Sequence, residues 1–278
     1  MRTDRLSLAA LALAGLFAAT INAYSDPLSA IPGGVYLFPI PNGATDIRFH
    51  DKPVFTINGH ALIAIPMQQT PGPAALNYKI QKETKSHSFK VRSHAYTEQH
   101  ITLENEAMVT PPDEVRVRIQ EESRRQRRLY IQHRPEQSVD DGFMKPLQGI
   151  TTGLFGHKRF FNGKPRSPHS GLDIAADTGT PIAAAGGGTI TLSDALYFNG
   201  NTIFVDHGRG LVTMYCHMSK LDVSEGATVT KGQTIGRVGS TGRATGPHLH
   251  FEVKVDGKTI PPFVYIEQSK WARSISQH

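Results

Sequence analysis

With 278 residues, 38% of them hydrophobic and 19% charged, the chain has ordinary globular proportions and room for two domains, which excludes large-scale disorder. A formal charge of +6 is spread along the chain rather than gathered in one tract; it favours an acidic polymer or anionic surface, and no nucleic-acid partner is expected. The single cysteine, Cys216, excludes an intramolecular disulfide and a cysteine-rich metal site.

The opening stretch, MRTDRLSLAALALAGLFAATINAYSD, carries Arg2 and Arg5, then an uncharged apolar run from Leu6 to Ile21, then small residues around Ala23. That layout predicts a secretory signal peptide over residues 1–23. The apolar run falls short of the ~20 residues a spanning helix prefers, so no stable membrane insertion is expected once the leader is removed. The protein is then expected in the periplasm or cell envelope, and no cysteine follows the leader to receive a lipid.

Short runs of strand character follow, among them GGVYLFPI, TDIRFH, HALIAIPM, ALNYKI and SFKVRS, separated by turn residues. They predict a small antiparallel β-rich domain over 28–103. At TPPDEVRVRIQEESRRQRRLYIQH the character changes: Thr110 can cap, Pro111 and Pro112 suit a first turn, and acids come early while arginines come late. This predicts a connecting helix within 110–134. Its cluster of Arg124, Arg125, Arg127 and Arg128 reads as a solvated basic face. From about Val139 glycines fall where alternating runs reverse, so 139–278 is expected to be a second, compact all-β domain.

Three segments of that second region carry chemistry. In SPHSGLDIAADTGTP, His169 and Asp173 lie four apart in a loop that leads into a strand, where such a pair shares a face. In GLVTMYCHMS, strict alternation groups His217 with Thr213 and Tyr215, opposite Val212, Met214 and Cys216, and makes Cys216 a small buried hydrophobe. In GPHLHFEV, His248, His250 and Glu252 alternate with Leu249, Phe251 and Val253, so both histidines share the polar face of a strand. A catalytic zinc needs about three protein ligands and an open position for water. This set supplies three ligands and leaves two histidines for proton transfer or oxyanion stabilisation; spacing alone does not divide them. His207 sits beside Gly208 and Gly210 and is expected to be structural.

The stretches FGHKRFFNGKPRSPHSGLDIAADTGTP, NGNTIFVDHGRGLVTMYCHMSKLDV and EGATVTKGQTIGRVGSTGRATGPHLHFEV resemble the lysostaphin-type (LytM-like) zinc metalloendopeptidases that cut peptidoglycan peptides. The likeness runs from Phe143 to Val255, and residues 33–78 resemble more faintly the β-rich domain that precedes the peptidase in some proteobacterial members. The resemblance implies one zinc ion held by His169, Asp173 and His250, with His217 and His248 as the catalytic pair. His248 is preferred as base and His217 as stabiliser, with the exchange of these roles, or action as a unit, left open. Asp177 stands where the family more often has proline. Two rivals are a lipoyl-type carrier, suggested by EGATVTKGQTIGRVG but lacking a suitably placed lysine, and a non-catalytic hydrolase activator of the same fold. The order leader, β domain, helix, peptidase also suggests that the first domain regulates the groove.

Overall fold

The computed structural model describes residues 29–57, 59–135 and 142–262; the stretch 1–23, expected to be a signal peptide, lies outside them. The chain is mainly β, and its described residues divide into two compact units between His94 and Ala95.

In the first unit the long hairpin Gly72–Ile80 and Glu83–Val91 anchors a five-stranded sheet, and Val35–Pro39 pairs with His60–Ala64 in a three-stranded one. Each strand sends its alternate apolar residues inward, so Tyr36, Phe38, Phe49, Ile63, Leu76 and Phe89 form a common core. Tyr36 stacks on Phe89 with ring centroids 4.2 Å apart, and its hydroxyl meets His87 Nε2 at 2.6 Å.

The second unit is built on one antiparallel sheet of eight strands: β1 (Ile150–Gly153), β2 (Leu172–Ala175), β3 (Gly188–Leu196), β4 (Gly200–Gly208), β5 (Leu211–Met218), β6 (Thr228–Val229), β7 (His248–Val255) and β8 (Lys258–Ile260). The order across it is β1-β2-β7-β5-β4-β3-β6, with β8 pairing Val253–Val255 of β7, beyond the stretch that β2 occupies. Strands β5 and β7 are central and almost wholly buried, which explains why β5 reads as a near-continuous apolar run. Glu98–Ile101, whose sequence reads as the end of the first β region, pairs in parallel with Lys158–Phe161 and so belongs to the second unit. That pairing joins residues sixty apart, and local sequence carries no signal for it.

Among the described residues the one α-helix is α1 (Arg116–Tyr130), preceded by a 3-10 turn at Asp113–Val115. It starts later than Thr110 because Pro112 forces the residue before it out of helical geometry; Thr110 turns its hydroxyl to Glu106 instead. Tyr130 packs on Leu192, Leu196, Phe204, Val212, Met214 and Cys216, covering part of one sheet face. Burying such a ring contributes roughly 2–3 kcal/mol. Arg125 bridges Asp194 and Glu225 at 2.7 Å each, while Arg124, Arg127 and Arg128 stay exposed.

Just beyond the helix, Arg134 clamps strand β4. Its guanidinium donates to Asp206 Oδ2 at 2.6 Å, to the Asp206 carbonyl at 2.7 Å and to Thr189 Oγ1 at 2.8 Å. Asp206 is 1% exposed, so its charge depends on that guanidinium. Replacing Arg134 with Ala should cost about 3–5 kcal/mol in urea unfolding, whereas Arg125→Ala, at a solvent-exposed pair, should cost under ~1 kcal/mol. Equal losses for the two variants would contradict this ranking.

Candidate metal centre

The site grows from strand register. On β2, Asp173 is the direct cross-strand partner of His250 on β7, which in turn lies opposite Cys216 on β5. His169 arrives from the loop before β2, its backbone pinned by N–H to His157 O and by its carbonyl to Gly156 N–H, 2.8 Å each. Two glycines make room. A Cβ at Gly153 would sit 2.3 Å from Asp173 Oδ2, and one at Gly171 would sit 2.4 Å from the Phe251 carbonyl and 2.9 Å from His250 Cε1.

Three donor atoms converge there: His169 Nε2 to Asp173 Oδ1 is 3.0 Å, His169 Nε2 to His250 Nδ1 is 3.1 Å, and His250 Nδ1 to Asp173 Oδ1 is 2.7 Å. A tetrahedral ion with bonds of ~2.0–2.1 Å sets its ligands ~3.3 Å apart, so this triangle is close to the edge length one small ion requires. The remaining ring nitrogens decide the tautomers. His169 Nδ1 lies 2.7 Å from the Leu154 carbonyl, which can only accept, so the neutral ring keeps its Nε2 lone pair in the triangle. His250 Nε2 lies 3.2 Å from Glu252 Oε1 and donates to it, which turns the Nδ1 lone pair inward. Two imidazole lone pairs and a carboxylate oxygen facing one another repel unless a cation or proton lies between them. That donor set fits a borderline divalent ion.

Ionisation follows the same logic. Burial pushes the His169 pKa down to about 4. Burial also opposes charge on Asp173, but the imidazoles of His169 and His250 outweigh it and hold the carboxyl well below its usual range. For His250 burial is likewise outweighed, by Asp173 and Glu252, and its pKa stands at about 9: without a metal, a proton fills the triangle. Glu252 is itself fully engaged. Ser170 Oγ donates to Oε1, Lys254 Nζ lies 3.4 Å from Oε2, and the Tyr130 hydroxyl lies 3.4 Å from the same oxygen. On the other side Arg159 donates to Asp173 Oδ2 at 2.5 Å and to Gln99 Oε1 at 3.0 Å, leaving Oδ1 for the triangle.

His217 and His248 flank the triangle, with ring centroids 4.8 Å apart; His217 lies 6.1 Å from the His250 ring. Strict alternation put Cys216 on the face opposite His217, yet both line the same groove. The physical reason is an irregularity in the β4–β5 pairing between Asn201 and Ile203, at which His217 adopts φ +64° and breaks the period of two. Such a left-handed conformation in a non-glycine residue is strained and held only by its surroundings. Here Nδ1 donates to the Thr241 carbonyl at 2.8 Å and the backbone N–H to Asn199 O at 2.9 Å. His248 Nδ1 donates to the Gly246 carbonyl at 2.8 Å. Each ring therefore keeps Nε2 for exchange, and burial pushes the His217 pKa down to about 3. His207 is fully buried away from the triangle, between the Gly187 carbonyl and Thr213 Oγ1 at 2.6 and 2.8 Å.

All five residues singled out in the sequence thus gather around the triangle, His169, His217 and His250 lining one cavity and Asp173, His217 and His248 its neighbour. Glu252 and Arg159 were missed. Glu252 was visible as the next residue of the same strand face after His250, whereas Arg159 carries no local signal.

A family model described as Peptidase family M23 matches residues 167–262. The chain is 44% identical over 94 residues to the DD-carboxypeptidase/endopeptidase Mpg of Neisseria meningitidis, and 47% identical over 89 residues to the peptidoglycan DD-endopeptidase ShyC of Vibrio cholerae. These alignments cover 34% and 32% of this chain but only 22% and 21% of those proteins. A Pseudomonas aeruginosa crystal structure described as an M23 peptidase superposes with a TM-score of 0.68 at 30% identity, covering 89% of this chain and 98% of that one.

Because a metal must displace the proton from His250, apparent affinity for Zn2+ should rise about tenfold per pH unit below about pH 9 and level off above it. Glu252→Gln should move the levelling-off to lower pH and weaken the plateau affinity ~10- to 100-fold. Competition titration with a chromophoric chelator measures both, and a pH-independent affinity would contradict the proton's place in the triangle.

Proposed function

The chain belongs to peptidase family M23, and from that membership and the donor triangle we propose that it is an exported zinc endopeptidase that hydrolyses peptide cross-links of bacterial peptidoglycan. The observation that carries this reading is the convergence of His169 Nε2, Asp173 Oδ1 and His250 Nδ1 within 3.1 Å, beside two further imidazoles. The substrate class follows from the peptidoglycan-acting relatives, and the excess positive charge suits an anionic wall polymer. Export follows from the leader at residues 1–23.

Zinc, when bound, supplies Lewis acidity that polarises a carbonyl and acidifies water. The protein's part is to hold the donors still and to move protons. His169 and His250 are orientated by Leu154 O and Glu252, and Arg159 restrains Asp173 to one free oxygen. His217 and His248 each have Nδ1–H committed to a carbonyl, of Thr241 and Gly246 respectively, so each offers an Nε2 lone pair that can accept the proton of the attacking water. The imidazole that gains this proton then delivers it to the departing amine, so that the step balances. The shared tautomer does not divide the two rings; His248, the less buried, is the preferred base, and burial disfavours a protonated His217.

Incubating the full chain with defined cross-linked muropeptides, with and without a chelator, and identifying the new termini by mass spectrometry tests the reading. His250→Ala should lose both zinc retention and hydrolysis. His217→Ala should retain zinc and lose at least ~100-fold in kcat. Unchanged turnover in His217→Ala, or chelator-insensitive hydrolysis, would refute it.

A further inference from the structure

The groove around the donor triangle encloses about 260 Å3, and its lining includes Arg159, Arg166 and Arg243 together with His169, His217 and His250. The three guanidiniums differ in what they already hold. Arg159 is neutralised by Asp173. Arg166 spends its N–H groups on the carbonyls of Pro165 and Val109, which satisfy hydrogen bonds but leave the charge uncompensated. Arg243 has no carboxylate or other hydrogen-bond acceptor for its guanidinium among the described residues; its carbon lies 4.7 Å from the Phe161 ring centroid and 4.4 Å from that of Phe198.

Arg243 is nonetheless firmly placed. Its backbone N–H donates to the Phe198 carbonyl at 2.8 Å, and the preceding Gly242 packs so closely on Gly200 and Phe198 that a Cβ would fall 2.3–2.5 Å from their backbone atoms. Thr241, one residue earlier, supplies the carbonyl that fixes His217. The loop that orientates a catalytic imidazole therefore also aims a cation into the groove. Two aromatic rings against a guanidinium leave its N–H edges as the route to a polar partner, and those edges match the two oxygens of a carboxylate. Burial, then the charges of Arg159 and Arg166, press the Arg243 pKa down to about 10, so this cationic cluster is under an electrostatic load that an incoming anion would relieve.

We propose that Arg243, assisted by Arg166, anchors a free carboxylate of the peptide substrate next to the metal centre and so selects stem peptides that carry one beside the scissile amide. This rests on the peptidase reading above. A structural role for Arg243 as a mere bridge between Phe161 and Phe198 would be indifferent to the charge of the ligand.

Two cross-linked muropeptides that differ only in a carboxylate or a carboxamide on the carbon bearing the scissile nitrogen discriminate the alternatives. The full-length zinc-loaded protein should favour the carboxylate form ~10- to 100-fold in kcat/KM, mainly through KM. In Arg243→Gln that ratio should collapse towards one with zinc content unchanged, and Arg243→Lys should recover part of it. Should Arg243→Gln fail to fold, Arg166→Gln should still reduce the ratio several-fold. A wild-type ratio near one, or a ratio undiminished in the variants, would overturn the proposal. If neither peptide is cut, the peptidase reading fails on its own, and equilibrium binding of the same two peptides in the presence of Zn2+ still decides the carboxylate anchor: equal affinity refutes it, and a preference lost in Arg243→Gln supports it.

Discussion

Two imidazole lone pairs and a carboxylate oxygen held within 3.1 Å of one another form an arrangement that the protein tolerates only with positive charge in the middle. Much of the second unit serves that constraint. The antiparallel register sets Asp173 opposite His250, the side-chain-free positions 153 and 171 let the strands approach, and each outward-facing ring nitrogen is given an acceptor so that its partner must face in. Burial makes the constraint effective, since in water the same three groups would solvate separately.

Beside this rigid cluster the protein places a strained one. His217 interrupts the alternation of a central strand, and the energy of its left-handed backbone is met by hydrogen bonds to two loops, through Asn199 and Thr241. The result is an imidazole on the same side of the sheet as His250, at a place where regular geometry would have pointed it into the opposite core. The Thr241 loop continues into Arg243, so one turn both fixes the His217 ring and carries a guanidinium to the groove.

The sequence made the metal-binding set legible because its members lie within regular segments. His169 and Asp173 are four apart at the mouth of one strand, and His248 and His250 share a face of another, so periodicity set each pair on one face, and the family resemblance joined the pairs and implied which residues are ligands. His217 reached that surface for a reason periodicity does not express: alternation gave the wrong neighbour for Cys216, and the irregularity that corrects it has no residue signature in GLVTMYCHMS. Arg159 and Arg243 were equally silent, one on a strand whose partner is far away in sequence and the other in a loop. The onset of the helix was misplaced to Thr110 because two prolines in succession look like a helix start until the second is allowed to constrain the first.

Tyr130, last residue of the helix, has two roles. Its ring seals the apolar side of the sheet over Phe204 and Met214, and its hydroxyl approaches the carboxylate that steadies His250. A truncation beginning at residue 139, or at 167 where the family match starts, would retain every donor atom and yet uncover Glu252 to solvent. The electrostatic edge of the donor cluster therefore lies upstream of its homology edge, and what resembles a connector also shields the carboxylate behind His250.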